Sequence, residues 1–445
     1  MNVLFLEIDS DRNWALASIG PAFIGAYIRQ KGHGCSLVRV SPDETSTSLL
    51  KKINKEKPDV LALSLTSRQW LRASKIVRDL KANLDIPVIA GGLQATYDPE
   101  TVINSAGFDY VCLGEGEEAM AELLGYLERG EEVFSNSIQN IWVRGGSKPS
   151  VRPPISSLDS LPFMARDLLD EQEGVVHICT QRGCPFPCSY CAAASTLELY
   201  EGNEYGRRRS CQDVIDELID IKKNGSLNFV IFEDDTFTLD RKWVREFCKR
   251  YGSEIEVGFS LHARVETMTL EMVEELANAG CQHIVYGVES GSYRVRKDIM
   301  NRPVTNQRFL EVFNWSKRFG IRVIANFMLG LPGETKQDIE KTLDFISELE
   351  PDDFAYCVFY PFPGTALFRL CEEKGYLPEN YKELPANHRQ SILTLPDLTK
   401  EEIASYYDRL TEIRENNYLR QYGGLLDFEG QRLALDGIKE SAALG

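Results

Sequence analysis

Positive charge is in short supply in this sequence. Lys and Arg number 50 against 67 Asp and Glu, a net charge of −17 with a pI near 5.0. A phosphate backbone rewards basic surface, so no nucleic-acid partner is expected. Long apolar runs are missing too. None reaches the roughly 18 residues of a membrane span, and the short run Met1–Asp9 ends in acid instead of serving as the charged start of a leader. The expectation is a cytoplasmic protein with no membrane partner. Eleven cysteines without an export signal point away from a disulfide framework and towards burial or metal binding. No internal repeat or low-complexity tract interrupts the chain.

What is present suits a folded protein of two or three domains: 445 residues, 43% of them hydrophobic and 10% aromatic. The first part alternates strand and helix. Asn2–Ile8, Ser36–Val40, Val60–Leu65, Pro87–Gly92 and Tyr110–Gly114 read as strands, with a helix over Ile19–Gln30. Short Val/Ile/Leu runs without polar alternation are buried on both faces, which gives a five-stranded, doubly wound parallel sheet over residues 1–135. Ligands of such sheets lie outside the carboxyl ends of the strands. Those ends carry Ser64, Thr66 and Ser67, then Gly91-Gly92, then Gly114-Glu115-Gly116-Glu117. Each could be an ordinary turn, but together on one edge they favour a ligand site.

Residues 136–170, rich in Gly, Ser, Pro and Arg, read as a linker. The alternation then resumes in six strands, Val175–Thr180, Phe229–Glu233, Val257–His262, His283–Glu289, Val323–Gly330 and Ala355–Pro361, most followed by a helical stretch. Six βα units over 171–375 fit a partial barrel with its function at the C-terminal mouth. Residues 376–445 form a helical tail whose clearest helix is Thr399–Asn416.

After the first barrel strand comes Arg182-Gly183-Cys184-Pro185-Phe186-Pro187-Cys188-Ser189-Tyr190-Cys191. Three thiolates on one irregular, proline-stiffened loop can each hold an iron of a 4Fe–4S cubane and leave the fourth iron open. A structural zinc site would want a second Cys pair or histidines to close a tetrahedron. No such pair lies at suitable spacing, and Cys179 sits within a strand. The other eight cysteines (35, 112, 179, 211, 248, 281, 357 and 371) are scattered and read as small buried hydrophobes.

The Cys-x-x-x-Cys-x-x-Cys loop on the first strand of a barrel resembles the radical S-adenosylmethionine (SAM) superfamily. The resemblance implies that the open iron binds the amino and carboxylate groups of SAM, whose reductive cleavage yields a 5′-deoxyadenosyl radical. It implies a set of SAM contacts: Glu233, Asp234 and Asp235 for the methionine amine, Arg264 for the carboxylate, and Glu289 and Ser290 for ribose and carboxylate. Asn326 opens the segment that packs on adenine, and Tyr190 would sit beside that ring. An external electron donor such as flavodoxin or ferredoxin is implied as well.

The first domain resembles the cobalamin-binding domain fused to one subgroup of that superfamily, with Ser64, Thr66, Gly91, Gly92, Gly114 and Glu115 at the cofactor. Many cobalamin proteins present an Asp-x-His-x-x-Gly loop after the first strand; here it reads Asp9-Ser10-Asp11-Arg12-Asn13-Trp14, without His. The histidines are His33, His177, His262, His283 and His388. Arg68 and Trp70 are then candidates to cover the lower cobalt face, or else a solvent-exposed Arg and a Trp packed on the next helix. The function implied is cobalamin-dependent methylation of an unactivated carbon in a small-molecule substrate. The alternative is a radical dehydratase, cyclase or rearrangement enzyme with cobalamin in another role or absent. A methylthiotransferase is disfavoured, because residues 1–150 hold only Cys35 and Cys112, too few for a second cluster.

Overall fold

The computed structural model describes residues 1–8, 18–200 and 206–422. The loop at Asp9–Trp14 and the end of the tail lie outside the described residues. The chain divides into one unit of Met1–Asp170 with Ser195–Tyr205 and a second of Glu171–Ala194 with Gly206 onward.

The first unit is a doubly wound sheet of β1 (Asn2–Ile8), β2 (Gly34–Val40), β3 (Val60–Ser64), β4 (Val88–Gly91), β5 (Tyr110–Cys112) and β6 (Ile141–Val143), in the order β2-β1-β3-β4-β5-β6. The strand period of two explains why both faces are covered. Leu4, Leu6 and Ile8 enter one apolar core, whereas Val3 and Phe5 enter another across the sheet. Strands β1 to β5 are parallel, and β6 pairs antiparallel to β5. That sixth strand corrects the five-stranded expectation. It is three residues long and lies in the presumed linker, with Asn140 and Gly145 in left-handed backbone on either side. A run so short between turn residues has no visible period. The strand order reverses at β1/β3, which is where such sheets open a crevice at their carboxyl edge.

The second unit contains β7 (Val175–Ile178), β8 (Gln181–Arg182), β9 (Arg207–Arg208), β10 (Phe229–Phe232), β11 (Gly258–Ala263), β12 (Cys281–Glu289), β13 (Arg322–Leu329) and β14 (Asp353–Val358). Six of them form an all-parallel sheet in the order β14-β13-β12-β11-β10-β7, a partial barrel, while β8 and β9 make a small antiparallel ribbon. Along β13, Val323, Ala325, Phe327 and Leu329 pack into the core. The alternate residues, Ile324, Asn326 and Met328, are only half-buried and share the inner face with His177 and His262. The helix Lys400–Tyr422 packs on β14, where Tyr407 meets Tyr356 ring to ring at 4.9 Å and Arg414 pairs with Asp353 at 2.9 Å. No helix among the described residues is long and apolar enough to cross a membrane.

Candidate functional site

The cysteine loop leaves β8 through Gly183, whose φ of 95° suits glycine alone. It is braced on several sides. Ser189 donates through its backbone N–H to the Met300 carbonyl at 3.2 Å and through its hydroxyl to Ile299 at 2.5 Å, and Asn301 donates to the Pro187 carbonyl at 2.9 Å. Cys184 and Cys188 are buried and Cys191 is half-buried. Burial pushes the Cys191 thiol up to about 12, with further increments from Asp235, Cys188 and Cys184 nearby. The three sulfurs therefore share one small region. Among the described residues no three His, Cys, Asp or Glu side chains surround a single ion-sized point. A cubane makes a different demand, one thiolate for each of three irons, and a braced loop of three neighbouring cysteines fits it.

The acidic triplet at the end of β10 is sorted by its neighbours. Asp234 is 1% exposed and accepts from the Thr180 N–H and hydroxyl, each at 2.7 Å, and from the Gln181 N–H at 2.8 Å. Burial raises its pKa to about 6 against the pull of Arg208 and these hydrogen bonds. Three of its roughly four acceptor sites thus go to the two residues leading into the cysteine loop, which it braces. Glu233 meets His177 Nδ1 at 2.7 Å; burial alone would raise its pKa, but that bond and the nearby imidazoles hold it below the ordinary value. Asp235 is exposed, without a side-chain partner among the described residues. Surrounding atoms still raise its pKa, with His262 opposing. It is the one acid of the three both free and close to the thiols.

Arg264, just past β11, places Nη1 3.1 Å from the sulfur of Cys188 and stacks on Phe186 with 3.8 Å between guanidinium and ring centre. Its other nitrogens reach Glu266, which also pairs with buried Arg302 at 3.0 and 3.1 Å. Burial would raise Glu266, yet the two guanidinium groups hold it at about 2. Tyr190 hydrogen-bonds Glu289, whose nearest cation is Arg302 at 3.8 Å. Glu289 holds a φ of 70°, a left-handed backbone rare for a non-glycine residue. Ser290 is fully buried, its hydroxyl 3.1 Å from that of Thr342 on the helix Lys336–Leu349 and accepting from the Ser292 N–H. That bonding ties the strand end to the helix, so the expected ribose contact at Ser290 is corrected. Asn326 lies in register with Gly287 and Ala355 on the half-buried face. Glu266 and Arg302 escaped sequence reading, although the Arg-x-Glu spacing at 264–266 was a usable signal.

At the carboxyl edge of the first sheet, Ser64, Gly91, Gly92, Gly114 and Gly116 line a slot of about 60 Å³ with Phe5, Ile24 and Met120. Gly92 (φ 85°) has no room for a Cβ, which would stand 2.7 Å from the Leu65 nitrogen. The slot has room for only a few waters, so a large cofactor would lie mostly outside the strand ends and enter only by a narrow part. Thr66 caps the following helix in a reciprocal box with Gln69, and Glu115 accepts from the Ile155 N–H at 2.9 Å. Trp70 is 8% exposed and stacks on Phe108 at 5.9 Å inside the core. Of the two readings of Trp70, the structure shows packing, because the helical turn from Thr66 points it inward. Arg68 is half-buried in the same turn. Residues 1–170 contain one histidine, His33, which precedes β2 and so lies at the opposite edge from the slot.

Residues 178–346 match the Radical SAM superfamily, and residues 15–124 match the B12 binding domain. The chain is 27% identical over 403 residues to an uncharacterized methyltransferase of Pyrococcus horikoshii, with 87% of this chain and 85% of that protein covered. It is 25% identical to cytidylyl-2-hydroxyethylphosphonate methyltransferase of Streptomyces wedmorensis, covering 80% and 74%. In fold it is similar to the cobalamin-dependent SAM radical enzyme OxsB, with a TM-score of 0.72 at 16% identity over 99% of this chain and 75% of that one. Loop, barrel and family match together define a radical SAM enzyme. The chain thus carries both a radical SAM domain and a B12-binding domain, and its cofactors are a 4Fe–4S cluster, SAM and cobalamin.

Proposed function

We propose that this enzyme methylates an unactivated carbon of a small molecule. The observation that carries the proposal is the pairing, in one chain, of a three-thiol loop beside a free carboxylate with a glycine-lined slot at the edge of a doubly wound sheet. When bound, the cluster and SAM supply a substrate-activating radical, and cobalamin supplies a carrier for the methyl group. In this reading Cys184, Cys188 and Cys191 hold three irons, and Asp235 takes the methionine ammonium in a charge-assisted bond. Arg302 and Glu266 fix Arg264 at the loop, while Tyr190 hydrogen-bonds Glu289, which also neighbours Arg302. Ser64, Gly91, Gly92 and Gly114 leave room for the cofactor's narrow part. Relatives named as methyltransferases support the reaction class. An external one-electron donor of the flavodoxin or ferredoxin class would reduce the cluster.

The test is anaerobic reconstitution with hydroxocobalamin, iron and sulfide, followed by reaction with methyl-deuterated SAM under a strong reductant. The expected products are 5′-deoxyadenosine together with S-adenosylhomocysteine, and deuterated methyl on the corrin. Formation of 5′-deoxyadenosine alone, by protein that retains no corrin, would overturn methyl transfer in favour of dehydration, cyclisation or rearrangement.

A further inference from the structure

We infer that Arg264 sets the reduction potential of the cluster by acting through the sulfur of Cys188; this rests on the cluster reading above. The guanidinium is positioned for that task independently of any SAM contact. Nη1 stands 3.1 Å from the Cys188 sulfur, and the group is clamped on its remaining sides. Phe186, from the same loop, lies flat against it at 3.8 Å. Nε and Nη2 are held by Glu266 at 3.1 and 2.5 Å, and Glu266 is itself gripped by Arg302, which is only 2% exposed. With a side chain 12% exposed, Arg264 has little competing water. A guanidinium carries five N–H donors. Three are engaged here, so the sulfur contact does not depend on where the remaining two point.

The chemistry follows from charge. A one-electron donor of the ferredoxin or flavodoxin class adds one electron to the oxidised cluster; no bond breaks and no proton moves in that step. The reduced cluster and its thiolates are one charge more negative, so a cation donating to one thiolate stabilises the reduced form more than the oxidised one. Hydrogen bonds to the sulfurs are among the levers that set cluster potentials. Arg264 therefore makes the cluster easier to reduce, as a positioning residue that works through Cys188.

The experiment uses the full chain, reconstituted anaerobically as wild type, Arg264→Gln, Arg264→Lys and Phe186→Leu. Iron and sulfide are counted first. The midpoint potential is then read from the EPR signal during a reductive titration without SAM, and SAM affinity is measured separately. The expected result is a full four-iron complement in each, with the Arg264→Gln midpoint shifted to more negative potential. Arg264→Lys should fall between it and wild type, and Phe186→Leu should shift slightly in the same direction. An unchanged SAM-free midpoint in Arg264→Gln, with SAM binding alone weakened, overturns the inference and returns Arg264 to the carboxylate of SAM. Loss of iron from both Arg264 variants overturns it too, since the residue would then serve assembly. A wild-type protein that holds no four-iron cluster would instead overturn the reading beneath it.

Discussion

The carboxyl ends of the two sheets carry sites of opposite construction. At the ends of β3, β4 and β5 nearly every residue is small, and the chemistry belongs to backbone, one hydroxyl and space. At the ends of β10, β11 and β12 the residues are charged and tied to one another. Asp234 is bound to Thr180 and Gln181, Arg264 to Glu266 and Cys188, and Glu289 to Tyr190. An edge of the first kind fails when something is added to it. One of the second kind fails when something is taken away. Substitutions at the two edges should therefore behave as mirror images.

The largest effect belongs to deletion at the second edge. Cys184→Ala, Cys188→Ala or Cys191→Ala should each abolish the catalytic cluster and all cleavage of SAM, because two thiolates are too few. Iron content and 5′-deoxyadenosine are the measurements, and a single variant retaining both would remove that cysteine from the ligand set. The mirror case is addition at the first edge. Gly91 has an ordinary φ, and a Cβ there meets nothing nearer than Cys112 at 3.8 Å. Gly91→Val should thus fill the slot without straining the chain and abolish corrin uptake while leaving iron content intact. Gly92→Val is a poorer probe, since it collides with the Leu65 backbone whether or not a cofactor is bound.

A smaller effect separates the two aspartates. Asp235→Asn should weaken SAM binding roughly 10-fold or more, as expected for a charge-assisted bond, with no change in melting temperature. Asp234→Asn should do the reverse. It turns an amide donor towards donors at Thr180 and Gln181 and costs on the order of 2 kcal/mol, seen as a fall of several degrees in Tm. If the two variants behaved alike, the sorting of the triplet would be wrong. The least effect is expected at His33. His33→Gln should leave the corrin spectrum unchanged, because about seven strand residues at roughly 3.3 Å each separate that end of the sheet from the slot. A shifted spectrum would mean that the imidazole reaches cobalt.

Legibility in the sequence followed the same division. The strands of both sheets were readable to within a few residues, because continuous apolar runs bounded by glycine or proline admit few other folds. The cysteine loop was readable outright, since spacing within eight residues survives without tertiary context. β6 was not, being three residues among turn formers. Nor could the sequence tell Asp234 from Asp235, which differ only in the side of the strand end they face. Trp70 was left between two readings, and Ser290 misplaced, for a related reason. A tryptophan or serine next to a ligand edge looks the same whether it turns outward or into a helix, and packing against Phe108 and Thr342 decided the matter. Glu266 and Arg302 stayed hidden because a buried ion pair joins residues 36 apart in the chain.

The left-handed backbone at Glu289 carries a consequence for how such a chain drifts over generations. Glycine or asparagine would adopt that conformation at less strain, so stability alone would favour them at this position. Only the demand of Tyr190 and Arg302 for a carboxylate opposes that preference. A descendant released from the chemistry of this pocket would be expected to lose the glutamate there early, before its core or its cysteine loop decayed. The identity of that one residue could then serve as a clock hand, telling which lineages still use the pocket and which have only inherited its walls.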